Sequence, residues 1–342
     1  MQLEGLKVSE INKKTKNKNM INLVELPRYF LLIAFFVIVA GFSIASPYFF
    51  SLNNLLDIIR EASIIGLMGL GLTAAVAAGE FDFSIGATAT IAAVVAGKVL
   101  SLSSVNSTII AFTVGILAAI IVGLINSFNV LKIGMPSFIA TLGIATLLDG
   151  ISKYFTGGAV FYSVNWPKDF GLLGKGFVFK VIPIPALIFI IVAILSTIFL
   201  HRTTRGRYIF AVGNNPDAAT HVGINCKRIK LLAFVFASLL TALAGIVHGS
   251  MLGSISPLMG SANLLRAIAT VMLGATFLTP GTPNIPGTFI AAILLAVVGN
   301  GLTMIGASYF MKDVVTGIIL VVAVGIIAVM KKGKLGQMIP GL

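Results

Sequence analysis

Charge is scarce in this chain. Of its 342 residues only 10% are Asp, Glu, Lys or Arg, against 57% hydrophobic residues and a mean hydropathy of +1.04. A soluble domain of that composition has too little polar surface to cover its core. Cysteine is nearly absent: Cys226 stands alone, which rules out an internal disulfide and any redox pair within the chain. The three histidines, His201, His221 and His248, form no HExxH pattern and share no Cys/His spacing that would hold a metal. The Gly-rich piece GLLGKG at 171–176 lacks the four-residue spacing and the Ser or Thr that a phosphate loop needs. The sequence therefore predicts no cofactor, metal or nucleotide site on this chain, and no nucleophile–base pair of a membrane enzyme is apparent in it. Ionisable residues are also few within the apolar runs, where an ion-coupled pump needs them. Glu80 and Asp82 lie between two runs, Asp313 opens another, and Asp149 and Lys153 are spaced i and i+4, which predicts a local ion pair rather than a proton relay.

What the chain does have is a succession of apolar runs close to the roughly 20 residues that cross a hydrocarbon core. They predict an all-α polytopic membrane protein of about ten transmembrane helices, near 29–46, 62–78, 83–98, 108–127, 137–156, 181–200, 231–249, 263–279, 285–305 and 311–330. The third and eighth are flanked by Gly or Pro, so broken or re-entrant segments are an alternative there. The net charge of +13 does not call for nucleic acid, because Lys and Arg collect on one membrane face. Six lie in 1–28, six in 201–230, three in 331–342, and Lys132 joins them, whereas Arg60, Lys98, Lys168, Lys175, Lys180 and Lys312 fall on the other face. That bias predicts a multi-pass protein with both termini in the cytoplasm. The expected division is a basic cytoplasmic tail over 1–28, a transmembrane domain over 29–330 and a cytoplasmic tail over 331–342. The first tail is too long and polar for the charged end of a cleaved leader, so its apolar run is expected to be retained; it is either a topogenic tail or an anchor to anionic lipid.

The segment 201–230 is the most informative polar stretch. Asn215 suits an N-cap, Pro216 the first helical position, Asp217 the positive end of the dipole, and Gly223 a left-handed stop. This predicts a two-turn helix, PDAATHV, marginal in water alone, with Ala218, Ala219 and Val222 presenting a small apolar face. That face docks either on the protein's own helix ends or in a groove of a cytoplasmic partner, with Arg205 and Arg207 adding charged contacts. Elsewhere Gly66, Gly69 and Gly71 crowd one helix and predict close packing. A faint echo links GEFDFSIGATATIAAVVAG at 79–97 to GTPNIPGTFIAAILLAVVG at 281–299. If the chain is two five-helix repeats, the odd number makes them inverted.

Four motifs in order resemble those of the permease subunits of bacterial ABC importers for ribose and other simple sugars, over about 50–330. They are GEFDFSIGA at 79–87, MPSFIATLG at 135–143, TGG at 156–158 and TTRGRYIFAVGNNPDAATHVGINCKRIK at 203–230. The resemblance implies a bacterial plasma-membrane subunit, not itself an enzyme, that pairs with a second permease copy, identical or not. Two cytoplasmic ABC ATPase subunits would carry ATP and Mg, and an extracytoplasmic solute-binding protein would deliver a ribose-like sugar. It implies an ATPase-coupling role for Arg205, Gly206, Arg207, Gly213, Asn215, Ala218, Ala219 and Gly223. Asp82, Ser84, Gly86, Thr141 and Gly143 would line the pathway or pack its helices, and for Asp82 a structural cap and a sugar contact are both open. The sequence departs from the family's paired-glycine pattern at 273–287, where Pro280, Pro283 and Pro286 stand, and Asp149 occupies a place where a basic residue is common. A polyol or other small solute stays open, and the alternative is an ion-coupled secondary transporter.

Overall fold

The computed structural model describes residues 26–102, 107–162, 166–279 and 281–338, with side chains from 31 to 328. Thirteen α-helices and one small hairpin lie within them. α1 (Leu26–Ala45), α2 (Leu52–Ala77), α3 (Ile85–Leu100), α4 (Thr108–Phe128) and α5 (Ser137–Thr156) follow the first five predicted spans. Next come the surface helix α6 (Lys168–Lys175), the antiparallel pair β1 (Phe177–Val178) and β2 (Ile182–Pro183), and the span α7 (Ile184–Thr197). The polar segment folds into α8 (Thr204–Asn214) and α9 (Pro216–His221). The chain then re-enters the bundle as α10 (Cys226–Leu252), α11 (Leu264–Gly274), α12 (Ile285–Met304) and α13 (Met311–Met338). Among the described residues six helices are long and apolar enough to cross a membrane: those from Thr108, Ser137, Ile184, Cys226, Ile285 and Met311.

Local chemistry sets several of the starts. Ser51, Ser107, Thr203, Asn215, Asn225 and Asn284 each accept an amide hydrogen from the first turn of the helix that follows. This satisfies groups that a helix leaves unpaired at its N-terminus. α13 continues to Met338 and α1 begins at Leu26, so helical backbone occupies 26–28 and 331–338 of the two expected tails. The rest of those tails lies outside the described residues.

α2 is the axis of the bundle. Ala62 to Ala75 are buried without a break, and α7, α10, α11 and α12 all pack on it. Lipid gives no hydrophobic drive for one helix to seek another, so this packing depends on small side chains that let backbones approach. Gly66 faces the Phe189 ring of α7, Gly69 faces Thr270 and Thr288 of α11 and α12, and Gly71 faces the Ala237 carbonyl of α10. The predicted crowding of glycines thus serves three different neighbours. The Thr73 and Thr288 hydroxyls meet at 2.8 Å inside this interface.

The fold decides two expectations. Of the readings open for the eighth span, 263–279, the broken one holds: it is the half-length helix α11, 11 residues and about 16 Å long at 1.5 Å per residue. It is preceded by irregular chain from 253 to 260 and a 3-10 turn, Ser261–Asn263, with Ile255, Met259 and Gly260 buried, and backbone groups there need protein partners. Phe161 and Ile255 exchange two backbone hydrogen bonds of 3.0 and 2.9 Å, and the Gly260 amide donates to Thr90 Oγ1 at 3.0 Å. The third span is an unbroken helix. The echo between 79–97 and 281–299, secondly, joins two helices that run the same way. Gly79 and Gly281 line one cavity at the same end of the bundle, so this echo does not speak for inverted halves.

Candidate coupling surface and pathway elements

α8 and α9 sit where α2 ends and α10 begins. Gly206 is buried against the Phe199 and Leu200 carbonyls, where any side chain would collide, and its amide completes the Thr203 cap at 3.1 Å. Gly213 lies flush on the Ala77 carbonyl at the last turn of α2. Arg205 and Arg207 are exposed, and Arg207 reaches back to the Arg202 carbonyl and Thr204 Oγ1 at 3.4 and 3.3 Å. Asn215 caps α9 through the Ala218 amide at 3.0 Å, and Gly223 ends it with φ +84°, a conformation that other residues reach only with strain.

The predicted apolar face of α9 divides in two. Ala219 is buried in a cluster with Ala77, Ala78, Ile209, Val212, Ile229 and Ala233, whereas Ala218 is exposed and Val222 is 76% exposed. Ala219 therefore fastens α9 to the ends of α2, α8 and α10, and Ala218 and Val222 point away from the protein. Of the two docking modes read from the sequence, the one on the protein's own helix ends is made by Ala219. A salt bridge strengthens this corner: Lys230 Nζ of α10 and Glu80 Oε1 lie 2.6 Å apart, both largely shielded. Beside it a cavity of about 270 Å³ is lined by Gly79, Phe81, Phe210, Gly213, Met272 and Thr282, among others. It joins the α2–α3 turn, α8 and the α11–α12 turn.

A second cluster forms between α3, α4 and α5. Asp82 is only 1% exposed, and its Oδ1 accepts from the Ser84 amide at 2.8 Å, from Ser84 Oγ at 2.6 Å and from Asn126 Nδ2 at 3.5 Å. Asn126 also donates to Ser84 Oγ at 2.7 Å. Thr141 Oγ1 accepts from the Phe83 amide at 3.0 Å and donates to the Ser137 carbonyl at 2.8 Å. Gly86 lets the first turn of α3 approach Gly260 and Ser261, ahead of α11. Asp82, Ser84, Gly86 and Thr141 thus converge as hydrogen-bonding and packing groups. Asp82 holds the turn ahead of α3 through the Ser84 amide and hydroxyl, and α3 itself starts at Ser84 without a side-chain cap. Gly143 does not join them; it is exposed on α5 with nothing near the place of a Cβ.

The expected Asp149–Lys153 pair does not form. Asp149 Oδ1 instead accepts from Ser261 Oγ at 2.7 Å in a partly buried position, linking α5 to the turn that opens α11. The pair that sequence reasoning missed is Arg266 with Glu61, N–O 2.8 Å, with the side chains 14% and 29% exposed. It joins α11 to the N-terminal half of α2, and Gly299 of α12 lies flat against both groups. The only signal was a lone Arg inside a predicted span. At the opposite end from α8 and α9, α6 and the hairpin were also missed. Pro167 and Gly176 bound α6, Trp166 Nε1 donates to Ser101 Oγ at 3.1 Å, and Arg60 lies 4.8 Å from the centre of the Phe177 ring.

Comparison with known proteins places these elements in a wider set. A family model described as branched-chain amino acid transport system / permease component matches residues 54–324. The ribose import permease protein of Bacillus subtilis (strain 168) is 34% identical over 290 residues, which cover 84% of this chain and 89% of that one. The ribose import permease protein of Escherichia coli (strain K12) is 34% identical over 296 residues, 86% and 91% of the two chains. The D-allose transport system permease protein of the same strain is 30% identical over 291 residues, 85% and 88%.

Proposed function

This chain belongs to the branched-chain amino acid transport system / permease component family, and we propose that it is the membrane-spanning subunit of an ATP-driven sugar importer. The proposed substrate is a ribose-like monosaccharide delivered by an extracytoplasmic binding protein. The family description names amino acids, but relatives alike along more than four-fifths of the chain are named for ribose and D-allose, which supports a sugar. In this reading the chain is not an enzyme. Separate ABC ATPase subunits bind ATP and Mg in the cytoplasm, on the side of both termini, and a second permease copy completes the pathway. α5, which leaves Phe138, Leu142 and Leu147 exposed, offers that copy or the lipid an apolar face.

The observation that carries the reading is the divided face of α9. Ala218 and Val222 supply a small apolar knob for a groove on the ATPase, flanked by Arg205 and Arg207. Ala219, Gly206 and Gly213 make the knob rigid with the bundle, so a push on α9 is delivered to the end of α2 through the Gly213–Ala77 contact and the Lys230–Glu80 bridge. α2 passes it to the half-helix α11 through Glu61 and Arg266. A discontinuous half-helix of that kind suits a switch between inward and outward access.

The test is uptake of radiolabelled ribose into proteoliposomes. We expect uptake only with the ATPase, ATP and binding protein present, and competition by other sugars but not by leucine. Uptake by this chain alone, driven by a proton or sodium gradient, would instead support the secondary transporter. Competition by leucine would move the substrate to the class named in the family description.

A further inference from the structure

Away from α9, a groove of about 420 Å³ opens between the end of α4 and the start of α10. Its floor is apolar, made by Leu124, Phe128, Leu131 and Leu231, and the first two and the last are exposed. Its rim carries three cations, Lys132, Lys227 and Arg228. The walls are fixed, because Gly123 of α4 sits against Ser238 and the Phe234 carbonyl of α10. The π-helical turn Asn129–Ile133 closes α4 and presents Lys132, whose Nζ lies 5.3 Å from the centre of the Phe128 ring.

The charges here are out of balance. Among the described residues none of the three cations takes part in an ion pair; Asp57, Glu61 and Glu80 are engaged with Arg60, Arg266 and Lys230. Lys227 and Arg228 also stand in the first turn of α10, which has no acidic residue, so they oppose the positive end of its dipole. The groove lies at the junction of two membrane spans with the interface, Thr108–Ile133 and the helix from Cys226. An apolar trough in the bilayer, topped by cations at headgroup depth, complements one molecule: acyl chains below and an anionic phosphate above. We infer that this groove binds an anionic phospholipid, its phosphate held by Lys132, Lys227 and Arg228 and a chain lying along Leu124, Leu131 and Leu231. The proposal does not depend on the identity of the solute.

The experiment is native mass spectrometry of the full chain released from nanodiscs of phosphatidylglycerol and phosphatidylcholine in equal parts. Wild type is expected to retain phosphatidylglycerol in preference to phosphatidylcholine. In Lys132→Gln/Lys227→Gln/Arg228→Gln the retained phosphatidylglycerol should fall about a hundredfold, at about a factor of five for each of the three interfacial cations lost. Leu124→Trp, which fills the floor and keeps every charge, should lower it as well. Lys13→Gln/Lys14→Gln/Lys16→Gln removes the same charge from the N-terminal tail and should change nothing. Unchanged retention in the groove triple variant with loss in the tail variant would overturn the inference and assign the lipid to the tail. Equal retention of phosphatidylcholine by wild type, or displacement of the lipid by soluble glycerol phosphate, would overturn it too.

Discussion

Removal of Glu61 leaves Arg266 as an unpaired charge between α2, α11 and α12, and that loss can be sized. At an N–O distance of 2.8 Å the attraction between unit charges is about 6 kcal/mol for an effective dielectric near 20. Desolvation of two groups that are 14% and 29% exposed offsets much of it. What remains is the cost of breaking a shielded pair by deleting one partner, ~3–5 kcal/mol. Glu61→Gln and Arg266→Met are each expected to lower the thermal midpoint in detergent by about 10 °C, taking 2–4 °C per kcal/mol. The double variant leaves no orphan charge and should recover more than half of that loss. The assay is Trp166 fluorescence against temperature, with the double-mutant cycle read as a coupling energy. Losses that add in the double variant, or a Glu61→Gln protein as stable as wild type, would refute the reasoning that these two groups form one unit.

Gly213→Ala forces a Cβ into the Ala77 carbonyl and should cost ~1–3 kcal/mol by overpacking; ATP-driven uptake should fall with it, while Gly143→Ala, in open space, should leave both stability and uptake at wild-type values. Asp82→Ala strips the acceptor from Ser84 and Asn126 in a buried site, and a loss of about 1–3 kcal/mol is expected in chemical or thermal unfolding. Asp149→Ala should destabilise by about 1 kcal/mol through the Ser261 bond. Lys153→Ala, in contrast, should be silent; an equal loss in both variants would restore the local ion pair.

Ten apolar helices were legible because lipid forces each apolar run to satisfy its own backbone. The boundaries of α9 were legible for a different reason: Asn215, Pro216 and Gly223 act within the few residues they bound. The direction of its faces was not, since a helix of 6 residues has too short a period to tell Ala218 from Ala219. The half-length of α11 was legible only as an alternative, from the Gly and Pro residues that flank the run; the hydrogen bonds that the preceding chain makes with Phe161 and Thr90, far away in sequence, were not. The same distance hid Glu61 from Arg266 and led Asp149 to be matched with its neighbour Lys153 rather than with Ser261. Gly206 and Gly213 were picked out by resemblance, and the structure supplies the cause, backbone carbonyls where a side chain would stand.

The central claim is that the outward face of α9 is the surface an ATPase grips, and the single cysteine makes it directly measurable. In a Cys226→Ser background, Val222→Cys and Ala218→Cys are to be crosslinked with a short bifunctional maleimide in membranes carrying the whole importer, with Ala219→Cys as the buried control. Crosslinks from positions 218 and 222 to the ATPase subunit, changed by ATP and absent from position 219, are the predicted result. No ATPase crosslink from either outward position, in an assembly that still imports sugar, would contradict it.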